Sequence, residues 1–155
     1  MKVRPFSEFD LAGVDAIQGR SPQASQWRQE DYPQLARDPL GLVLVAELEP
    51  RSFLAGFAVF RRVLDEAEIL NLAVDPSVRR MGIGRELLIA GMRELRARGV
   101  SKVFLEVRAS NQPAIDFYSV AGFTAQGRRR GYYREPVEDA LTMVSDITSI
   151  PPDPS

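Results

Sequence analysis

From Gly41 the chain runs Leu-Val-Leu-Val-Ala, and two further β-rich runs, Phe53 to Val63 and Ala67 to Val74, follow it. Only Glu49-Pro50-Arg51-Ser52 and Leu64-Asp65-Glu66 separate them, and connections this short predict an antiparallel meander. Ile83, Leu87, Leu88, Met92 and Leu95 then recur at the spacing of one helix face, up to Arg98-Gly99, where glycine suits a helix C-terminus. Upstream, residues 2 to 6 read as a short strand and Glu8 to Gln18 as a helix marked by Phe9, Val14 and Ile17. Ser21-Pro22-Gln23-Ala24-Ser25 breaks it, and a second, more polar helical stretch carries Trp27 and Tyr32 as far as Asp38-Pro39. Downstream come a strand from Lys102 to Val107, a helix from Asn111 to Ala121, and strands from Phe123 to Arg128 and Asp139 to Ile147. The predicted order is β, α, α, β, β, β, α, β, α, β, β.

At 155 residues this is the size of one ordinary domain. We expect a single unit over residues 1–147 and a loose, proline-rich tail over 148–155. No stretch approaches the roughly 20 apolar residues of a membrane span, and Met-Lys-Val-Arg-Pro-Phe-Ser-Glu has no apolar core like that of a signal peptide. The expected location is the cytoplasm, with no membrane partner. A formal charge of -1 lacks the general basic field of a nucleic-acid binder.

Cysteine and histidine are both absent, which removes disulfides, thiolate nucleophiles, serine–histidine triads and the usual zinc sites. No metal centre is expected. Proton transfer must fall to carboxylates, tyrosines, lysines or water.

Between the third β-rich run and the long helix lies Asp75-Pro-Ser-Val-Arg-Arg-Met-Gly-Ile-Gly-Arg-Glu-Leu-Leu88. One reading is a plain strand-to-helix turn that uses glycine for its backbone freedom. The other is an anion cradle, because free N–H groups and the positive end of a helix dipole converge there. A nucleoside-triphosphate loop needs Gly-x-x-x-x-Gly-Lys-Ser/Thr, which is not present. A dinucleotide fingerprint fails because Leu87 holds its third small position and the preceding runs read as antiparallel, although Glu106 falls about where its ribose acid would be. The form Arg/Gln-x-x-Gly-x-Gly/Ala is met by Arg79, Gly82 and Gly84, and Arg80 and Arg85 add charge for a pyrophosphate.

This loop resembles the coenzyme A loop of the GNAT superfamily of N-acetyltransferases. Leu105-Glu-Val-Arg-Ala-Ser-Asn111, Ala114-Ile-Asp-Phe-Tyr118 with Ala121-Gly-Phe123, Val63-Leu-Asp-Glu-Ala67, Asn71-Leu-Ala-Val-Asp-Pro76 and Arg130-Gly-Tyr-Tyr133 are similar to segments of its RimI-type ribosomal-protein-alanine members. The resemblance runs from about Phe57 to Ile147. It implies a mixed α/β fold with a mostly antiparallel sheet, helices on both faces, and two parallel strands that splay apart near Val74 and Val107.

The same resemblance implies acetyl-coenzyme A as co-substrate. Leu72, Ala73 and Val74 would offer backbone groups to its pantetheine and thioester, and Arg79, Arg80, Met81, Gly82, Ile83, Gly84 and Arg85 would wrap its pyrophosphate. Asn111 is either a further cofactor contact or simply a helix cap. By resemblance Glu106 is the general base; the lesser reading is a charge at a strand end exposed by the splay. Tyr118 lies two helical turns after Asn111 on nearly the same face, and by resemblance its phenol protonates the leaving thiolate. Its spacing with Ala114, Phe117 and Ala121 also fits core packing.

A peptide α-amine, with a pKa of about 8, needs less help from a base than a lysine near 10.4. The implied acceptor is a protein amino terminus, namely the alanine of a small-subunit ribosomal protein, attacked directly without a covalent enzyme intermediate. A lysine or small-amine acceptor and a noncatalytic acyl-coenzyme A binding module are the alternatives. Trp27, Tyr132 and Tyr133 are candidate acceptor contacts, the tyrosine pair as pocket wall or as a lid over the core. Arg128-Arg129-Arg130 is either a solvated patch or a peptide contact. Asp65, Glu66 and Glu68 either attract a basic peptide or cap a hairpin. Family members often carry a glutamate where Gln18 falls, and a Pro-Trp pair where Pro22 and Trp27 stand apart.

Overall fold

The computed structural model describes residues 1–22, 24–49, 53–134 and 136–150. Gln23, part of the Glu49–Ser52 turn and most of the expected tail lie outside the described residues. Seven strands form one sheet in the order β1-β2-β3-β4-β5-β7-β6. They are β1 (Lys2–Pro5), β2 (Gly41–Leu48), β3 (Phe53–Val63), β4 (Glu66–Val74), β5 (Lys102–Arg108), β6 (Thr124–Arg134) and β7 (Val137–Asp146). Every neighbouring pair is antiparallel except β4 with β5. This is a mixed α/β fold, and the meander expected from the short connections is β2-β3-β4.

Helices cover both faces because β2 and β3 are apolar at every position in their centres. Val43, Val45, Phe57 and Val59 face α1 (Leu11–Gly19) and α2 (Asp31–Arg37), where Val14, Ile17 and Tyr32 meet them. Leu42, Leu44, Ala58 and Phe60 face the other way, toward α3 (Ile83–Ala97). Ile83, Leu87, Leu88, Met92 and Leu95 form its buried stripe. The last helix, α4 (Gln112–Val120), packs Ala114, Ile115, Phe117 and Tyr118 against the same core. Among the described residues no helix is long and apolar enough to cross a membrane.

Three expectations need correction. Phe9 is fully exposed, because it falls in a 3₁₀ turn (Glu8–Asp10) ahead of α1 instead of on that helix's inner face. That turn is closed by Ser7 and Asp10, which cap each other's backbone, and Arg4 holds the Asp10 carboxylate at 2.8 Å. Trp27 lies outside the second helix, which starts at Asp31. Finally, β6 runs on to Arg134 and β7 begins at Val137, so Tyr132 and Tyr133 stand on a strand and not in a loop. The arginine run hides this strand because it has no apolar alternation to read.

Candidate active site

The two central strands pair over only three residues, Glu66 with Lys102, Ala67 with Val103 and Glu68 with Phe104. Beyond that point β4 continues to Val74 beside β3, and β5 continues to Arg108 beside β7. The splay expected near Val74 and Val107 is therefore present. An irregularity in β4 sharpens it: Val59 pairs with Asn71 and Phe60 with Ile69, which leaves Leu70 as an extra residue. Such a bulge re-aims the side chains that follow it. Asn71 turns toward the α1–α2 side, where its amide bonds the Ser25 backbone on both sides, at 3.2 and 3.1 Å. Leu72 and Val74 pack on the α3 side.

At the end of β4, Asp75 is buried and organises the start of the glycine loop. Its carboxylate accepts from Ser77 N–H at 2.9 Å, from Ser77 Oγ at 2.8 Å, and from Arg20 at the end of α1. Burial pushes this carboxyl up, but the Ser77 hydrogen bonds and Arg20 outweigh it, and its pKa falls below the ordinary value. The loop then takes left-handed backbone at Arg80, with φ of 66°, and at Gly82, with φ of 77°. A non-glycine residue in that region stores strain. None of the N–H groups from Arg80 to Arg85 meets an acceptor among the described residues.

These groups, the N-terminus of the 15-residue α3 and the exposed Arg79, Arg80 and Arg85 make this loop a positive region. Met81 is exposed beside them, whereas the Ile83 side chain is core and leaves only its backbone to the loop. Gly84 sits against both other parts of the site: a Cβ there would meet Phe117 Cζ at 3.4 Å and Val74 Cγ2 at 3.5 Å. The chemistry of this donor set fits a diphosphate.

Asn111 is a helix cap, its side-chain oxygen accepting from Ala114 N–H at 3.3 Å. Tyr118 packs edge-on between Phe117, with centroids 5.0 Å apart, and Phe123, at 5.5 Å. Burial raises its phenol well above the ordinary range, so it stays protonated at neutral pH.

On the other face of the split lies a groove of about 370 Å³, lined by Glu68, Glu106, Gln126, Arg129 and Thr142 among others. Glu106 alternates with the core residues Leu105 and Val107 and so faces this groove. Arg129 Nε approaches its Oε1 at 3.2 Å, and the charge of the same carboxylate, with some burial, raises the Tyr132 phenol. Burial raises the Glu68 carboxyl, the charge of Glu106 raises it further, and Arg129 pulls it back. Tyr133 meets Tyr132 edge-on at 5.2 Å between centroids and carries Arg108 over its ring at 4.3 Å. Trp27 lines a separate hollow of about 300 Å³ with Leu35 and Leu70, its ring 5.3 Å from that of Tyr32.

The structure thus gathers Glu106, Tyr132 and Tyr133 on one face and the glycine loop, Asn111 and Tyr118 on the other. Arg20 and Asp139 carry no functional signal in the sequence, whereas Asp75 opens the glycine stretch and stands before Pro76 as a turn signal.

The model of the acetyltransferase (GNAT) family matches residues 11–123. A ribosomal protein bS18-alanine N-acetyltransferase of Escherichia coli (strain K12) is 44% identical over 104 residues, 66% of this chain and 70% of that protein. The crystal structure of the ribosomal-protein-S18-alanine N-acetyltransferase from Escherichia coli superposes with a TM-score of 0.80 at 34% identity, covering 97% of this chain and 96% of that one. Naa20 from Chaetomium thermophilum, in complex with a bisubstrate analogue, gives a TM-score of 0.83 at 27% identity over 94% of this chain and 86% of that one. With its split sheet, glycine loop and these relatives, the chain belongs to the GNAT family of acetyltransferases.

Proposed function

We propose that this protein moves acetyl from acetyl-coenzyme A to the α-amine of a protein amino terminus, with the N-terminal alanine of a small-subunit ribosomal protein as acceptor. The observation that carries the reading is the split between β4 and β5, which has a positive loop on one side and a carboxylate groove on the other. The relatives named for ribosomal protein bS18 support the acceptor class.

Bound acetyl-coenzyme A supplies an acyl group already activated as a thioester. Backbone groups of Leu72, Ala73 and Val74 lie along the split for the cofactor's arm, and Arg79 to Arg85 offer N–H groups and charge for its diphosphate. Asn111, its oxygen committed to the cap, has its amide N–H₂ left to donate. Glu106 takes the proton of the acceptor's ammonium, directly or through water, and Tyr118 Oη gives one to the departing sulfur. Tyr132 and Tyr133 wall the acceptor, and Trp27 braces the α1–α2 segment beside it. One domain carries all of these parts, and we place its work in the cytoplasm.

Turnover on an alanine-initiated peptide, compared with the same peptide blocked at its terminus but containing lysine, tests the acceptor. Transfer to the free terminus alone supports the proposal. Transfer only to lysine overturns the acceptor, and cofactor binding without transfer to any peptide would mean a noncatalytic module.

A further inference from the structure

Arg129 leaves β6 and reaches across β7 to Glu106 on β5. Neighbouring strands lie about 4.8 Å apart, so the two side chains together bridge roughly 10 Å of sheet. The β7 residues beneath it are small: Ala140 pairs with both Arg129 and Arg108, and Thr142 pairs with Glu106. A bulge in β6 completes the aim. Register slips between Arg129 and Tyr133, Gly131 adopts φ of 59°, and its N–H donates to the Asp139 carboxylate at 2.9 Å. Arg129 then meets Glu106 while its guanidinium lies over the Tyr132 ring, 5.5 Å from the centroid.

The carboxylate is the sheltered member of this ion pair, with its side chain 15% exposed against 62% for Arg129. The arginine is thus the partner free to move. It also neutralises Glu68, which faces the same groove and repels Glu106. A substrate ammonium would seek these same oxygens, and two cations cannot share one carboxylate without mutual repulsion.

We infer that Arg129 holds the ammonium subsite before the acceptor arrives, and that the acceptor's ammonium displaces it from Glu106, leaving it on the Tyr132 ring that it already meets. Arg129 is a specificity residue: a cationic amine can replace it, whereas a neutral group gains nothing there to offset breaking the ion pair. The inference rests on reading Glu106 as the group that receives the acceptor.

Arg129→Gln removes the charge while keeping much of the side chain's bulk. With an alanine-initiated hexapeptide at low ionic strength, the acceptor KM should fall roughly three- to fivefold while the KM for acetyl-coenzyme A holds. The gain should shrink in added salt, and calorimetry should find it absent in a Glu106→Gln background and absent for the same peptide with its terminus acetylated. Arg129→Lys, which keeps a cation, should return KM toward the wild-type value, and matched thermal melts show that each variant is folded. A raised acceptor KM in Arg129→Gln would make Arg129 a substrate contact, and an unchanged one would make it a bystander; either overturns the inference. If the wild-type enzyme acetylates lysine peptides only, the proposed acceptor falls. The Arg129 comparison is then read on that peptide, where the same fall in KM supports the inference and any other result overturns it.

Discussion

Glu106 leaves β5 on the face opposite to the one against which Tyr118 packs: Leu105 and Val107 beside it point into the core that Tyr118 covers, and Glu106 points into the groove. The two groups meet different partners, and only the split in the sheet joins their sides. Removing either should leave the other's surroundings intact. Tyr118→Phe and Glu106→Gln should each lower kcat about tenfold or more with an unchanged melting temperature, on the usual size of acid–base effects. Steady-state kinetics beside thermal melts checks this, and full turnover in both variants would remove the assignments.

At Gly82 the backbone is left-handed, but a Cβ would meet nothing within 4 Å. The cost of Gly82→Ala is therefore conformational, about 1–2 kcal/mol, and either destabilises the chain or flattens the loop. We expect a higher KM for acetyl-coenzyme A with acceptor KM unchanged. Kinetics with each substrate varied in turn reads the difference.

Gly56 tests the packing beneath the split. An added Cβ would lie 2.8 Å from the carbonyl oxygen of Ala73 and 3.1 Å from Leu87 Cδ1. Gly56→Ala must then push β4 away from β3 where β4 borders the split, and overpacking of this kind costs about 1–3 kcal/mol. Denaturant unfolding should show that loss together with weaker cofactor binding.

Acid should weaken the fold through Asp10 and Asp75. Burial raises both carboxyls, but for Asp10 the bonds from Arg4 and Ser7, and for Asp75 those from Ser77 and Arg20, bring the net pKa below the ordinary value. Their stabilisation is complete above the unfolded value of about 3.9 and is lost as pH falls through the lower folded values. Arg20→Met should cost about 1–2 kcal/mol at neutral pH, reduced from a fully buried pair because Arg20 is 54% exposed. It should also make the acid loss shallower, which unfolding curves from pH 7 down to 2 would reveal.

The element order, the meander and the glycine loop were legible because each rests on a local pattern: uninterrupted apolar runs, the 3.6-residue stripe of α3, and glycines between strand and helix. The bulges were not. The extra residue Leu70 in β4 looks like any other leucine in an apolar run, and only the pairing with Val59 and Phe60 exposes it. The contact between Arg129 and Glu106 depends on β7 lying between their strands and on small residues there, which no spacing along the chain encodes. Phe9 misled because hydrophobicity alone does not reveal that a 3₁₀ turn precedes the helix. Glu106 and Tyr118 were found through family resemblance, since spacing alone left each with a structural explanation.

The three-pair contact between β4 and β5 also leaves the middle of the sheet with two free borders. Backbone edges of this kind ordinarily lie at the rim of a sheet, where they invite another strand. Here they lie inside it, where an extended ligand arm along the split would cover them. A preparation stripped of acetyl-coenzyme A should therefore self-associate more at high concentration than one saturated with it, a difference that light scattering reads.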